Sequence, residues 1–248
     1  MDELIVEDAG NGLRVLTLNR PQQLNALSPE LILLLGEQVQ KIRTSDATCV
    51  VLRGAGRSFC AGYDLKARER AKSLLPPNYA AQMIDSIAAL PQPVIASVHG
   101  HCFTGGLELA LAADFIIAAE HARFADTHAR WSMRAGWGLT QRLPRRIGAA
   151  AAKDMMFSGR EVNGVEAVQL GLASRWAPDE ELNNLTMSVA GAICERPAAV
   201  LQWIKTQVDH GLQLPLAQAL QYERDNRSTG SVETDARLQQ LGWQKSKA

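Results

Sequence analysis

The chain has 248 residues, 46% hydrophobic and 21% charged, which is the composition of one sizeable globular domain with room for a helical appendage. Its 26 Lys and Arg balance its 26 Asp and Glu, and no run of like charge occurs, so we expect neither nucleic acid nor a membrane as a partner. The acidic N-terminus lacks an apolar stretch of signal-peptide length, and no window approaches ~18 continuous apolar residues. We therefore expect a cytoplasmic protein.

The chain alternates predicted strands and helices from its beginning. We expect a hairpin from residues 4–7 and 13–18 around the Gly10-Asn11-Gly12 turn. Ser28 is a natural N-cap, with Pro29 in the first helical position, and predicts an amphipathic helix that continues to about Ile42. The next predicted elements are a strand at 49–52, a glycine-rich loop at 54–62, a helix near 79–90, and strands at 94–98 and 115–118. Such alternation implies right-handed crossovers and a largely parallel sheet.

The second half of the chain is predicted to be mainly helical. From about Leu139 onward the helical pattern is broken at Gly159, Gly171 and Pro197, with one short β-like piece at 173–176. We expect a helical layer or appendage.

Glu108 is the most informative residue in this sequence. It follows the Gly105-Gly106 pair at the start of a predicted helix over 105–113, which comes directly after the apolar strand at 94–98. A glycine-rich strand-to-helix turn leaves backbone N–H groups free to face an anion or a developing oxyanion. The pattern favours a carbonyl group held by backbone donors beside an acid/base, although a carboxylate stabilised by the helix dipole is the structural alternative.

Four cysteines are scattered without CxxC spacing and lie in or beside apolar segments: Cys49, Cys60, Cys102 and Cys194. We interpret them as small buried hydrophobic residues in a reducing compartment, and Cys60 as a core residue because no nucleophile triad surrounds it. His99 and His101 straddle Gly100, but no third ligand has a recognisable spacing. We therefore predict no metal site.

Five segments, in order, resemble the enoyl-CoA hydratase/isomerase, or crotonase, family. They are LNRPQQLNALSPEL at 18–31, VVLRGAGRSFCAGYDLK at 50–66, PVIASVHGHCFTGGLELALAADFIIAAE at 93–120, GLTQRLPRRIG at 138–148 and SGREVNGVEAVQLGLASRW at 158–176. The resemblance implies an α/β fold, a spiral of ββα units over residues 1–190, with a helical C-terminal region at 191–248 for assembly into homotrimers or homohexamers. It also implies acyl-CoA thioester substrates and no metal or redox cofactor.

Matching the family's motifs residue by residue gives a set of expected site residues. The oxyanion-hole N–H groups would be those of Tyr63 and Gly105, and the first catalytic glutamate would be Glu108. Residues expected along the CoA thioester are Asn25, Ala26, Leu27, Ala61, Tyr63, Asp64, Leu65, Lys66 and Gly105, with Lys66 a partner for a nucleotide phosphate. The C-terminal segment 231–248 retains little of the basic, Phe-containing ending that helps cover CoA in the family.

His128 marks where the chain departs from the family pattern. Family hydratases place a second glutamate at this position, four residues after the aromatic of HARFADTHAR. Its loss argues most against isomerase activity, and an imidazole can hold or deliver a proton near neutral pH. A loop histidine with a purely structural role is the alternative. The following segment, with Trp131, Met133, Arg134 and Trp137, predicts a reshaped acyl pocket.

We therefore predict an enzyme that adds water to a 2-enoyl-CoA double bond. Glu108 would deprotonate the water, and the proton at C2 would come from water, Glu108 or His128. The alternatives are another enolate reaction, namely dehydration, isomerisation, carbon–carbon cleavage or decarboxylation, or an acyl-CoA-binding protein without turnover.

Overall fold

A computed structural model describes residues 2–227, 234 and 238 of the chain. Its strands are β1 Leu4–Asp8, β2 Leu13–Leu18, β3 Cys49–Gly54, β4 Val94–Val98, β5 His101–Phe103, β6 Phe115–Ala119, β7 Arg123–Ala125, β8 Val162–Asn163 and β9 Arg175–Ala177. Its helices are α1 Pro29–Arg43, α2 Arg68–Leu74, α3 Tyr79–Ala88, α4 Gly105–Ala110, α5 Leu139–Ile147, α6 Ala149–Ser158, α7 Gly164–Gln169, α8 Leu182–Cys194, α9 Ala198–Gly211 and α10 Leu216–Asp225.

The main sheet has the strand order β1-β2-β3-β4-β6-β9. Only the β1–β2 hairpin is antiparallel, and each later neighbour pairs in parallel. The predicted hairpin and largely parallel sheet are therefore confirmed. All five residues of β4 are buried, as expected for an interior parallel strand with both faces covered.

A second, three-stranded sheet has the order β5-β7-β8. Sequence reasoning missed it because its strands are only three, three and two residues long. β5 leads directly into the turn before α4, and β7 leads into the segment that carries Asp126 and His128. Their parallel pairing, Phe103 opposite Ala125, brings these two segments side by side.

Local sequence signals account for the first helix. The Ser28 hydroxyl accepts a hydrogen bond from the Leu31 N–H, Pro29 occupies the first turn, and the helix ends at Arg43. Its buried face, including Leu31, Leu35 and Val39, contributes to the hydrophobic core. This confirms the predicted cap and helix.

α4 is shorter than the sequence predicts, because it ends at Ala110 and not at Ala113. The backbone beyond tightens into turns in which the Ala112 N–H donates to Leu109 O and the Ala113 N–H to Ala110 O. This three-residue spacing brings the chain round into β6.

The chain divides into two compact units, Met1–Gln202 and Trp203–Ala248. The first contains both sheets. In the second, the Trp203 indole N–H donates to Asn226 O, and the rings of His210 and Tyr222 lie 4.2 Å apart. No helix in the described part of the chain has the length and apolar character needed to cross a membrane.

Candidate active site

A cavity of about 390 Å³ in the first unit brings most of the predicted reactive groups together. Six of the expected site residues line it: Ala61, Tyr63, Leu65, Gly105, Glu108 and His128. They come from the loop after β3, the start of α4 and the segment after β7. Residues distant in sequence therefore share one cavity.

The backbone nitrogens of Tyr63 and Gly105 lie close together at the start of α4. A Cβ placed on Gly105 would lie 3.4 Å from the Tyr63 nitrogen, and neither the Tyr63 nor the Gly105 N–H donates a hydrogen bond within residues 2–227. The close approach of the Tyr63 loop to the start of α4 requires glycine at position 62. Gly62 has φ +103°, and a side chain there would collide with the Thr104 hydroxyl. Thr104 itself has φ +46°, a strained value for a β-branched residue. Two free donors are thus held close together.

Glu108 is buried, with 1% of its surface exposed, on the first turn of α4. Its Oε1 accepts hydrogen bonds from the backbone N–H groups of Trp137 at 2.8 Å and Leu139 at 3.1 Å. Burial raises the pKa of Glu108 above its ordinary value, although these two N–H groups and the charge of His128 oppose the shift. The carboxylate is thereby oriented and made more basic.

His128 lies beside Asp126 at the end of β7. The Asp126 Oδ1 accepts from the backbone N–H of His128 at 3.0 Å and lies 2.6 Å from its ring Nδ1. Burial alone would lower the pKa of His128, but the hydrogen bond and charge of Asp126, together with the charge of Glu108, raise it above its ordinary value. His128 therefore holds a proton more strongly than a free imidazole.

The segment between His128 and α5 forms one wall of the cavity with Trp131, Met133, Arg134 and Trp137. The Trp137 ring stands edge-on to Tyr63 at a centroid distance of 5.7 Å. A Cβ on Gly105 would come within 2.6 Å of the Trp137 ring, so the indole covers the start of α4 closely. The cavity wall beside the Tyr63 and Gly105 N–H groups is therefore formed by aromatic rings.

The remaining residues expected along CoA do not line this cavity but support the loop that does. Leu27 pairs with Tyr63 as an isolated parallel bridge, with the Leu27 N–H donating to Gly62 O. The buried Asn25 side chain donates to Ala55 O and Ser58 O, so its amide is used inside the protein. Asp64 forms an ion pair with Arg20 at 2.9 Å.

Ala26 and Lys66 complete the expected CoA set. The Ala26 carbonyl accepts a hydrogen bond from the Arg20 guanidinium, and Ala26 is partly buried. Lys66 is exposed. Neither residue lines the cavity.

His99 and His101 have partners other than a metal. The His99 Nε2 lies 2.9 Å from Gly56 O, and the His101 Nδ1 lies 2.9 Å from the Ser58 hydroxyl. Across residues 2–227, 234 and 238 the structure brings no group of three metal-ligating side chains together. All four cysteines are free thiols, and burial raises the pKa of Cys60 to about 12.

Sequence reasoning missed three groups that shape the site: the Asp126 carboxylate and the Trp137 and Leu139 N–H groups. The Asp-Thr-His order carried a signal for the first, since an Asp side chain commonly accepts from the N–H two residues on. The two N–H donors depend on how the 131–139 segment folds over α4. No local pattern predicts that contact.

This architecture, with a mainly parallel sheet and helices around a cavity at the start of α4, defines a crotonase-fold protein. An enoyl-CoA hydratase from Bacillus anthracis, known from its crystal structure, superposes with a TM-score of 0.87 at 34% identity, covering 97% of this chain and 95% of that one. The family model for enoyl-CoA hydratase/isomerase matches residues 8–242.

Two sequence relatives agree with the family match. A Bacillus subtilis protein with enoyl-CoA hydratase/isomerase in its name is 37% identical, over 90% of this chain and 88% of its own length. The crotonyl-CoA hydratase of Syntrophomonas wolfei is 31% identical, over 90% of this chain and 88% of its own length. The chain belongs to the enoyl-CoA hydratase/isomerase family.

Proposed function

We propose that this protein adds water across the double bond of a 2-enoyl-CoA thioester. The observation that carries the proposal is one cavity in which the N–H groups of Tyr63 and Gly105, without an acceptor among the described residues, lie beside the carboxylate of Glu108 and the imidazole of His128. Preorganised donors of this kind stabilise the charge that develops on a thioester oxygen, and removing one typically costs about 3–4 kcal/mol. The names of the relatives support the same reaction class.

The thioester carbonyl oxygen accepts hydrogen bonds from the N–H groups of Tyr63 and Gly105. Glu108 removes a proton from water while the water oxygen bonds to C3, and the electron pair of the C2–C3 double bond moves to form the enolate, whose charge rests on the thioester oxygen. Backbone N–H groups at Oε1 of Glu108 leave Oε2 to face the water. The strained Thr104 conformation is consistent with a backbone held in place for this purpose.

The enolate collapses when a proton reaches C2. His128, as the imidazolium, donates that proton and becomes neutral, while Glu108 has become protonated. One proton then passes from Glu108 to His128, directly or through water, which restores both groups. The sum of these steps is the addition of one water, with no oxidant or reductant.

The two pKa shifts give the direction of the pH dependence. Glu108 must be ionised, so turnover falls as the pH drops through its raised pKa. His128 must be protonated, so turnover falls as the pH rises through its own raised pKa. We expect a bell-shaped profile of kcat against pH whose alkaline limb lies above the ordinary histidine value.

The CoA moiety would run along the loops that carry residues 25–27 and 61–66, with the exposed Lys66 near a phosphate. The main-chain pairing between Leu27 and Tyr63 supports this, because it joins the two segments into one continuous rim. CoA would enter as part of the substrate, with no further cofactor and no metal.

We further propose a cytoplasmic homotrimer or homohexamer assembled through the C-terminal region 191–248, of which the structure describes residues 191–227, 234 and 238. Apolar side chains remain exposed along α9 in the described chain, including Val200, Ile204 and Val208. Exposed apolar faces of this kind are typical of association surfaces. Free cysteines are compatible with a reducing compartment.

The test is to incubate the protein with a panel of 2-enoyl-CoA thioesters. Turnover is measured as the loss of the conjugated thioester's absorbance and from the mass of the product. Hydration predicts a product heavier by one water. A 3-enoyl-CoA and a 3-hydroxyacyl-CoA in the same panel report isomerisation and dehydration. Thermal stabilisation by a saturated acyl-CoA without conversion of any thioester would contradict the proposal and identify a binding protein.

A further inference from the structure

Asp126 is a buried carboxylate that does not line the cavity. It follows β7 directly, and 4% of its surface is exposed. Its Oδ1 accepts from both the backbone N–H and, at 2.6 Å, the ring Nδ1 of His128. Asp126 therefore touches the cavity lining through the neighbouring imidazole, and its charge also helps to raise the pKa of Glu108.

The turn alone does not explain an ionisable residue at this position. An Asx turn needs only a side-chain oxygen to accept the N–H two residues on, and asparagine supplies that oxygen without charge. Burying a charge is costly unless the charge is paired and hydrogen-bonded. The partner is the His128 ring, since this carboxylate forms no other hydrogen bond or ion pair to a side chain within residues 2–227.

The carboxylate decides which nitrogen of His128 faces the cavity. An ionised Asp is an acceptor only, so the Nδ1 of His128 carries the hydrogen of their bond. Nε2, on the opposite edge of the ring, has no hydrogen-bond partner in the described chain, and His128 lines the cavity. The ring thus keeps one tautomer when neutral and presents Nε2 in both protonation states.

We propose that Asp126 is a positioning residue, which holds the His128 imidazole by Nδ1 so that Nε2 is the atom that exchanges a proton with the substrate. The identity of the proton acceptor rests on the hydration proposed above, whereas the tautomer and the electrostatic coupling do not. The arrangement uses a carboxylate–imidazole pair where the family pattern has a glutamate.

Few charged groups of the described residues lie around His128, and Arg134 lines the same cavity. Asp126 and, from α4, Glu108 are the charges that act on its ring. The Arg130 guanidinium, on the same turn, donates to Gly159 O. On α6, which packs against this turn, Asp154 is paired with Arg160 at 2.5 Å, and Lys153 is exposed.

The variant Asp126→Asn tests the inference, because it keeps an oxygen for the turn and removes the charge. We would follow the histidine ring signals by NMR across about pH 5 to about pH 9. The chain has five histidines, and His128→Gln identifies the relevant signal. Loss of a neighbouring anion should move the His128 titration downward by about 1 pH unit or more.

The kinetic readout should follow the same shift. The alkaline limb of kcat against pH should move to lower pH in Asp126→Asn, so that kcat above the limb falls about ten-fold for each pH unit of displacement, while KM changes little. Asp179→Asn is the matched control: Asp179 contacts the exposed His121 at 3.5 Å outside the cavity. That variant should leave the His128 titration and the kcat profile unchanged.

An unchanged His128 titration in Asp126→Asn overturns the inference, whatever the enzyme's activity. A shifted titration in a protein that hydrates no thioester supports the positioning role and refutes the proposed function instead. If Asp126→Asn does not fold, Asp126→Ser, whose hydroxyl also accepts the turn N–H, is measured by the same titration.

Discussion

Glu108→Gln separates the chemistry of the carboxylate from its role in the fold. The amide has nearly the same shape, and its oxygen still accepts the N–H groups of Trp137 and Leu139 that now bind Oε1. What is lost is a group able to take a proton from water. Proton transfer by a positioned side chain contributes about 10²–10⁴-fold, so kcat should fall by that factor, equivalent to about 3–5 kcal/mol of activation free energy.

The same substitution should stabilise the folded protein at neutral pH. Burial raises the pKa of Glu108 in the folded state. The difference between the folded and unfolded pKa therefore adds to the free energy of unfolding, and this contribution is fully present when the pH is below the unfolded pKa of 4.5. That contribution is lost as the pH rises through the folded pKa. Each unit by which the folded pKa exceeds the unfolded one is worth about 1.4 kcal/mol. In a chain of this length, 1 kcal/mol shifts Tm by about 2–4 °C.

The assay measures kcat on crotonyl-CoA, affinity for a saturated acyl-CoA by calorimetry, and Tm between about pH 5 and about pH 8, a range above the ordinary glutamate value. We expect Glu108→Gln to bind acyl-CoA as the wild type does and to turn over poorly. Its Tm relative to that of the wild type should increase as the pH rises. Glu166→Gln is the matched control, because it changes a partly exposed glutamate, paired with Arg160 outside the cavity.

Two results would contradict these expectations for Glu108. Activity within a few-fold of wild type would show that Glu108 is not the base. A Tm difference between Glu108→Gln and wild type that does not move in favour of the variant as the pH rises would show that burial does not penalise the ionised carboxylate.

The other predictions concern the second acid/base, the acyl pocket and assembly. His128→Gln should lower kcat and remove the alkaline titration from the kcat profile; a rate and profile identical to wild type would leave His128 a structural role only. Trp137→Ala removes the ring beside Gly105 but keeps the N–H that holds Glu108, so kcat/KM for a bulky enoyl-CoA relative to crotonyl-CoA should rise by about ten-fold, and an unchanged ratio argues against that wall. Light scattering should give three or six times the mass of one chain, and a stable monomer would contradict the proposed assembly.

Local sequence signals were sufficient where the structure depends on neighbours along the chain. Ser28 and Pro29 started α1, and the apolar run at 94–98 became an interior strand. Glu108 stood out because a carboxylate in an apolar segment requires partners. The short strands β5 and β7 escaped prediction because strands of three residues carry almost no periodic signal.

Long-range contacts made the rest of the site unpredictable. The partners of Glu108 are N–H groups 29 and 31 residues away, and any residue type supplies an N–H. Likewise, the free N–H groups of Tyr63 and Gly105 come together only when two loops pack, which family resemblance implied and spacing did not. Asp126 lay within reach of local reasoning through its turn, but its bond to the His128 ring depends on the side-chain conformation.

Hydration of the double bond is tested most directly by incubating the enzyme with crotonyl-CoA in water that is isotopically labelled at both oxygen and hydrogen. Mass spectrometry then locates the label. Hydration by the wild type places labelled oxygen in a hydroxyl at C3 and one solvent hydrogen at C2, with the thioester intact, and Glu108→Gln should incorporate both labels about 10²–10⁴-fold more slowly. Labelled oxygen in a free carboxylate would report thioester hydrolysis and would contradict hydration. Recovery of unlabelled substrate after incubation with many equivalents of enzyme would contradict it as well.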